Sequence, residues 1–173
     1  MATMRDRFGV SGAVISAVDL LRGLGRYAGL DVIEVPGATG LWDTNYEGKA
    51  AAALDALADH DFVYVHVEAT DEAGHARDLE LKVRCIEMLD DRLVRHILDG
   101  LRTRGIEAVV SVLPDHPTPV ETGAHAGDPV PVAVWDPRSG PDDVATFDEA
   151  QAARGSLGTL RGDRFIRLAL GLA

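Results

Sequence analysis

Residues 62–75, FVYVHVEATDEAGH, decide the fold, because an apolar run leads directly into a polar segment. Residues 62–67 are rich in β-branched and aromatic side chains, which predicts a buried strand. Asp71 and His75 follow, and we expect them in a loop at the carboxyl end of that strand, with Gly74 permitting a backbone shape that other residues resist. Open α/β sheets place their chemistry at this end of the strands. The stretch therefore predicts a sheet and a functional site beside it.

A second polar segment follows a second apolar run, at AVVSVLPDH, residues 108–116. One further histidine comes nine residues later, beyond Gly123. Aspartate and histidine at strand ends are good ligands for a divalent metal, although helix caps and surface polar groups are an alternative reading of the same spacing. The predicted metal ligands are Asp71, His75, Asp115, His116 and His125.

The rest of the chain alternates strand-like and helix-like segments, which predicts an α/β fold with a mostly parallel sheet flanked by helices on both faces. We interpret residues 1–12 as a lead-in and residues 13–173 as a single α/β domain. The other predicted strands are residues 13–18, 31–35, 108–113 and 130–135, and the predicted helices are residues 19–29, 45–58, 76–101 and 162–171.

Several other polar side chains have both a functional and a structural interpretation. Arg22 is either a solvated helix charge or a contact for an anionic substrate. His66 lies within the apolar strand and is interpreted as a hydrogen-bonded histidine of the core, or as one that supports a metal ligand. We expect a surface role for His60 and a structural role for His96.

The composition excludes some classes of function. The 173 residues are 46% hydrophobic and 26% charged, which is typical of a soluble globular protein. A formal charge of −11 disfavours nucleic-acid and anionic-membrane partners, although a bound metal ion could still attract a small anion. Cys85 is the only cysteine, so the chain cannot form an internal disulfide, which favours a reducing, cytoplasmic setting. We expect Cys85 to be a packed thiol. No apolar run approaches the ~18 residues of a membrane span, and no signal-peptide pattern is found.

From residue 12 onward, the chain resembles the C-terminal part of the archaeal-type, cofactor-independent (2,3-bisphosphoglycerate-independent) phosphoglycerate mutases of the alkaline-phosphatase superfamily. Similar proteins also carry phosphonopyruvate-decarboxylase-like or kinase-like names. The matching phrases are GAVISAVDLLRGLGRYAGLDVIEVPGATG, DTNYEGKA, DFVYVHVEATDEAGHARDLELK, LPDHPTP and HAGDPVP.

The resemblance implies a site with two divalent metal ions, manganese or zinc and alternatively magnesium, on either side of a serine that becomes phosphorylated. Asp71, His75 and His125 would hold one ion, and Asp115 and His116 would hold the other. The reaction implied is the interconversion of 2- and 3-phosphoglycerate. Arg22, a possible substrate contact, stands where relatives often carry lysine, which donates hydrogen bonds with a different geometry.

The chain also departs from the family pattern. The family's Asp-Gly metal-binding start, its nucleophilic serine and its inserted substrate domain all precede the aligned segment. Ser11 and Ser16 do not stand in a matching motif. We therefore expect a C-terminal fragment or split-gene half that is inactive alone and associates with an N-terminal half or with itself. The alternatives are a non-catalytic binding or assembly module, and a stand-alone metal-dependent phosphatase or phosphonopyruvate-decarboxylase-like hydrolase.

Overall fold

The computed structural model describes residues 2–172, and their contacts group into two compact units. The first unit runs up to Gly105 and includes Thr118–Ala124. The second comprises Ile106–Pro117 and the chain from His125 onward. The single domain expected for residues 13–173 stays a prediction.

The first unit is built on a three-stranded parallel sheet. Its strands are β1 (Gly12–Ile15), β2 (Asp31–Ile33) and β3 (Phe62–Val65), in the order β2-β1-β3. All four residues of the central strand β1 are buried, as expected for a strand that is covered on both faces. The predicted α/β class with a parallel sheet flanked by helices is confirmed.

Short helices surround this sheet. The α-helices of this unit are α1 (Met4–Phe8), α2 (Asp19–Tyr27), α3 (Tyr46–Ala56), α4 (Ala69–His75), α5 (Leu79–Leu89) and α6 (Arg95–Arg104). Helix α1 lies inside the predicted lead-in, where Thr3 and Asp6 form a reciprocal N-terminal cap. Within residues 2–172, the eleven-residue helices α3 and α5 are the longest α-helices, and no helix is both long and apolar enough to cross a membrane.

The long helix predicted over residues 76–101 is interrupted. It begins only at α5, where the Asp78 side chain accepts a hydrogen bond from the Leu81 amide at 2.9 Å. A π-helical turn, Asp90–Val94, then separates α5 from α6. Within this turn, Arg92 forms a bidentate ion pair with Glu47 of α3, in which Nε and Nη2 donate to the two carboxylate oxygens at 2.6 and 2.8 Å. The pair joins residues 45 positions apart, and the irregular turn thus coincides with a long-range contact that residue spacing along the helix does not reveal.

The second unit contains a small antiparallel pair of strands, β4 (Val110–Val112) and β5 (Ala133–Trp135), followed by α7 (Glu149–Ala152) and α8 (Arg164–Ala169). The mostly parallel sheet expected from the sequence is the one in the first unit, and β4 and β5 form a separate antiparallel pair that was not predicted. A parallel pair requires a crossover connection, usually a helix. Residues 113–132, all of them described, contain turns and no helix, so the chain returns as an antiparallel partner.

Gly25 allows α2 to approach β1 closely, which yields a testable prediction. A Cβ at Gly25 would lie 2.5 Å from Val14 Cγ1 and 3.3 Å from Val14 Cβ. We expect Gly25→Ala to lower the free energy of unfolding by about 1–3 kcal/mol through overpacking, although alanine favours helix. Gly23 on the same helix has open space around it, so Gly23→Ala is the matched control and should raise stability by up to about 1 kcal/mol. Urea denaturation of both variants measures the difference, and equal effects would contradict this account of α2 packing.

Candidate metal centre

Asp71 and His75 lie on helix α4, four residues apart and on one face. Asp71 Oδ2 is 3.2 Å from His75 Nε2. The expectation of a loop for these residues was wrong, because Ala69 and Ala73 are buried against Cys85 of α5 and stabilise a short helix. The helix places the two side chains close together, since residues four apart on a helix are neighbours.

The orientation of the His75 ring suits a metal ligand. His75 Nδ1 lies 2.9 Å from the carbonyl oxygen of Gly123, and a carbonyl can only accept, so Nδ1 carries the proton. In the neutral ring, the lone pair is then on Nε2, the nitrogen that points toward Asp71. A hydrogen bond to the distal ring nitrogen is the usual way in which proteins fix the tautomer of a metal-binding histidine.

The segment Thr118–Ala124 holds α4 in place, a role that the sequence analysis missed. The Thr118 hydroxyl donates to Asp71 Oδ1, and Lys82 Nζ donates to the Thr118 carbonyl at 2.5 Å. Gly74 has a different role from the one expected, because it is helical and a Cβ there would run into the Thr118 carbonyl. Thr118 stands in the matching phrase LPDHPTP, but it is 47 positions from Asp71 in sequence, so no local signal indicates that the two side chains meet.

Acidic side chains gather at the start of α4. Glu68, Asp71 and Glu72 each offer a carboxylate oxygen, and these oxygens lie within 4.8 Å of one another. Carboxylate oxygens combined with an imidazole nitrogen from His75 suit magnesium, manganese or zinc. The residues present therefore fit a divalent cation on the basis of their donor chemistry.

The second unit contains the other three predicted ligands. His116 and His125 stack with ring centroids 3.8 Å apart, and the Ala126 amide donates to the Pro117 carbonyl at 2.9 Å, which aligns the two histidine segments. Asp115 accepts a hydrogen bond from the His116 amide at 3.1 Å, and its carboxylate lies 3.6 Å from His116 Nε2. This unit thus brings Asp115, His116 and His125 into one cluster.

Arg22, the predicted substrate contact, is held on α2 by two carboxylates. It pairs with Asp19 at 3.3 Å and with Glu34 just beyond β2. The predicted role of Arg22 in binding a substrate anion remains a prediction, and these pairs would have to rearrange for it.

His66, Ser16 and Lys49 form a polar group just beyond the carboxyl ends of β1 and β3, in which Ser16 and Lys49 are buried and His66 is half-buried. His66 Nδ1 lies 3.4 Å from the Ser16 hydroxyl and 3.4 Å from a Glu68 carboxylate oxygen. Lys49 of α3 is only 1% exposed and donates to the His66 carbonyl at 2.9 Å. The hydrogen-bonded interpretation of His66 agrees with these contacts. Lys49 was missed, because an alanine-rich helix gives no sign of a lysine that points inward.

Burial of Lys49 predicts a dependence of stability on pH. Burial lowers the pKa of Lys49 to about 8, and attraction to Glu68 opposes the shift. An exposed lysine has a pKa near 10.4, so between about pH 8 and about pH 10 the unfolded chain binds more protons than the folded one. The contribution of Lys49 to the free energy of unfolding therefore rises with pH across this window.

The comparison of wild type with Lys49→Met isolates this contribution. Burial raises the pKa of Tyr46 to about 12 and also raises that of Cys85. The contributions of these two groups to the free energy of unfolding therefore fall as pH rises, but they do so equally in wild type and in Lys49→Met. Urea denaturation between pH 8 and 10 should give a more positive slope for wild type than for Lys49→Met. Parallel slopes would show that Lys49 titrates as an exposed lysine does.

The family model described as "Metalloenzyme superfamily" matches residues 1–170. The chain therefore belongs to the Metalloenzyme superfamily.

Within that superfamily, the chain is similar to the C-terminal part of 2,3-bisphosphoglycerate-independent phosphoglycerate mutases, which confirms the resemblance identified from the sequence. It is 52% identical to the enzyme of that name from Methanosarcina acetivorans over 165 residues, which cover 95% of this chain and 42% of the relative. The chain thus spans about two fifths of the length of this relative.

Two solved structures have the same fold. A protein from Pyrococcus horikoshii is 36% identical with a TM-score of 0.91, covering 99% of this chain and 51% of that one. A cofactor-independent phosphoglycerate mutase from Thermoplasma acidophilum is 28% identical with a TM-score of 0.64, covering 93% of this chain and 36% of that one.

Proposed function

We propose that this chain supplies metal ligands to a phosphoglycerate mutase that interconverts 2- and 3-phosphoglycerate. Asp71, His75 and His125 would hold one divalent ion, and Asp115 and His116 would hold a second. The observation that carries the proposal is the pairing of Asp71 with His75 on α4, with the His75 ring oriented by Gly123. The similarity to mutases of that name over 95% of the chain supports the choice of reaction.

The chain's own groups hold the ligands in place for this role. The Thr118 hydroxyl orients the Asp71 carboxylate, and the Gly123 carbonyl keeps the proton of His75 on Nδ1, so that Nε2 can bind. Manganese or zinc ions, when bound, would lower the pKa of an attacking hydroxyl and neutralise charge on the transferred phosphoryl group. Bound cations would also offset the formal charge of −11 toward an anionic substrate.

The phosphorylated serine would belong to polypeptide outside residues 1–173. This polypeptide corresponds to the part of the relatives that the chain does not match, and it acts as a covalently continuous segment or as a partner. Arg22 is proposed to contact the substrate phosphate. The cytoplasm is the proposed location, because a chain with a single cysteine suits a reducing compartment.

A reconstitution experiment tests the proposal. The purified chain alone should show no mutase turnover. After it is mixed with the non-matching N-terminal part of the Methanosarcina acetivorans enzyme and Mn²⁺, 2-phosphoglycerate should form from 3-phosphoglycerate. Mutase turnover by the chain alone would contradict the assignment of the serine. Hydrolysis of a generic phosphate ester by the chain alone, without mutase activity in the mixture, would favour the metal-dependent phosphatase instead.

A further inference from the structure

Lys49 is a charged side chain buried in the first unit, and the proposed reaction gives it no role. Its residue is 1% exposed, although lysine is almost never fully buried unless it is well paired. Removing an ammonium group from water costs free energy, which the attraction to Glu68 offsets only in part. The hydrogen bond of 2.9 Å from Lys49 Nζ to the His66 carbonyl therefore marks a place where the fold uses a charged donor.

The His66 carbonyl lies just beyond the end of β3, where the chain leaves the sheet. His66 is the first residue after β3, and its amide donates to the Ile15 carbonyl of β1 at 2.9 Å, so it continues the ladder on that side. Strand β3 is at the edge of the three-stranded sheet. Lys49 reaches from α3 to bind the carbonyl of the same residue, and His66 is thus fixed by both its backbone groups.

Helix α4 begins immediately after this point. Glu68 is the residue before the helix, and its carbonyl accepts from the amides of Asp71 and Glu72 at 2.8 and 3.2 Å. Only one residue, Val67, separates Glu68 from His66, and Val67 packs against both apolar clusters of the unit. The start of α4 is therefore tied closely to the position at which Lys49 binds.

We propose that Lys49 is a positioning residue, which clamps the carboxyl end of β3 through the His66 carbonyl and thereby sets where α4 presents Asp71 and His75 to a divalent cation. The inference rests on the proposed metal site for its consequence, but the clamp itself is a property of the metal-free chain. A neutral side chain of similar length would leave the carbonyl without this donor, and the start of α4 would become more mobile.

The test uses Lys49→Met with Leu54→Ala as the matched control. Leu54 is 6% exposed on the same helix and packs toward Gly100 of α6, so its truncation destabilises the unit without touching His66. Two quantities are measured: amide hydrogen exchange at Asp71 and Glu72 in metal-free protein, and Mn²⁺ affinity by calorimetry. We expect Lys49→Met to speed exchange at both amides and to weaken Mn²⁺ binding at least about tenfold, as the loss of groups that orient metal ligands does. Leu54→Ala should leave the affinity of the folded protein unchanged.

Wild-type Mn²⁺ affinity that persists in Lys49→Met would overturn the proposal, and so would an equal loss of affinity in both variants, because the latter indicates general destabilisation. If wild type binds no Mn²⁺, the metal site itself has failed, and the exchange measurement alone decides whether Lys49 clamps α4. If Lys49→Met does not fold, Lys49→Leu, which also lacks a donor, is judged by the same criteria.

Discussion

Replacement of Asp115 by alanine is expected to lower the mutase turnover of the reconstituted enzyme at least about a thousandfold, because a metal that stabilises the transferring charge lowers the activation barrier by several kcal/mol. Asp115 is 60% exposed, and its hydrogen bond to the His116 amide is a local one. The substitution should therefore cost little stability. The measurement is initial-rate formation of 2-phosphoglycerate at saturating Mn²⁺.

Asp136→Ala is the matched control for this prediction. Asp136 lies in the same unit and pairs with Arg138 at 2.8 Å, so its removal also deletes one carboxylate and one ion pair. Its turnover should stay near that of wild type. Equal turnover in Asp115→Ala and wild type would exclude Asp115 as a ligand of the catalytic metal.

Replacement of Asp71 by alanine is expected to weaken Mn²⁺ binding to the isolated chain by about a hundredfold or more, since loss of groups that merely orient ligands already costs about 10- to 100-fold. The Asp71 carboxylate is fixed by the Thr118 hydroxyl and lies 3.2 Å from the imidazole of His75, so its removal deletes a pre-oriented charge. Titration followed by electron paramagnetic resonance of free Mn²⁺ measures the affinity.

Asp91→Ala provides the comparison for Asp71→Ala. Asp91 is 61% exposed and pairs with Arg95 at 2.6 Å, which makes it an aspartate of the same unit with an ordinary surface ion pair. It should bind Mn²⁺ as wild type does. A similar decrease in both variants would mean that Mn²⁺ responds only to the net negative charge of the chain.

The parts of the fold that follow from local pattern were predictable. Strands β1 and β3 were recognised because β1 is covered on both faces and therefore reads as a continuous apolar run. The pairing of β4 with β5 was missed, because three-residue strands carry too little pattern to indicate their partner. The π-helical turn was not predicted either, and the Arg92–Glu47 pair beside it joins residues 45 positions apart, which local pattern does not indicate.

The candidate site was likewise predictable only where it follows from local pattern. The ligand types Asp71 and His75 could be chosen from their position after a strand, but their helical geometry depends on the burial of Ala69 and Ala73 against α5, which is a tertiary effect. Thr118 and Lys49 support the site from 47 and 22 positions away from Asp71, respectively, so only the folded chain reveals them. The sequence therefore indicates candidate ligands, whereas the groups that orient them emerge only from the fold.

The most direct test of the central claim is a calorimetric titration of Mn²⁺ into metal-stripped protein, repeated with His75→Ala and with His60→Ala. His60 is the control, because it is a histidine of the same unit that lies 2.9 Å from Asp31 and outside the proposed site. We expect saturable binding that His75→Ala abolishes and His60→Ala retains. Binding that survives in His75→Ala, or no binding by the wild-type chain, would contradict it.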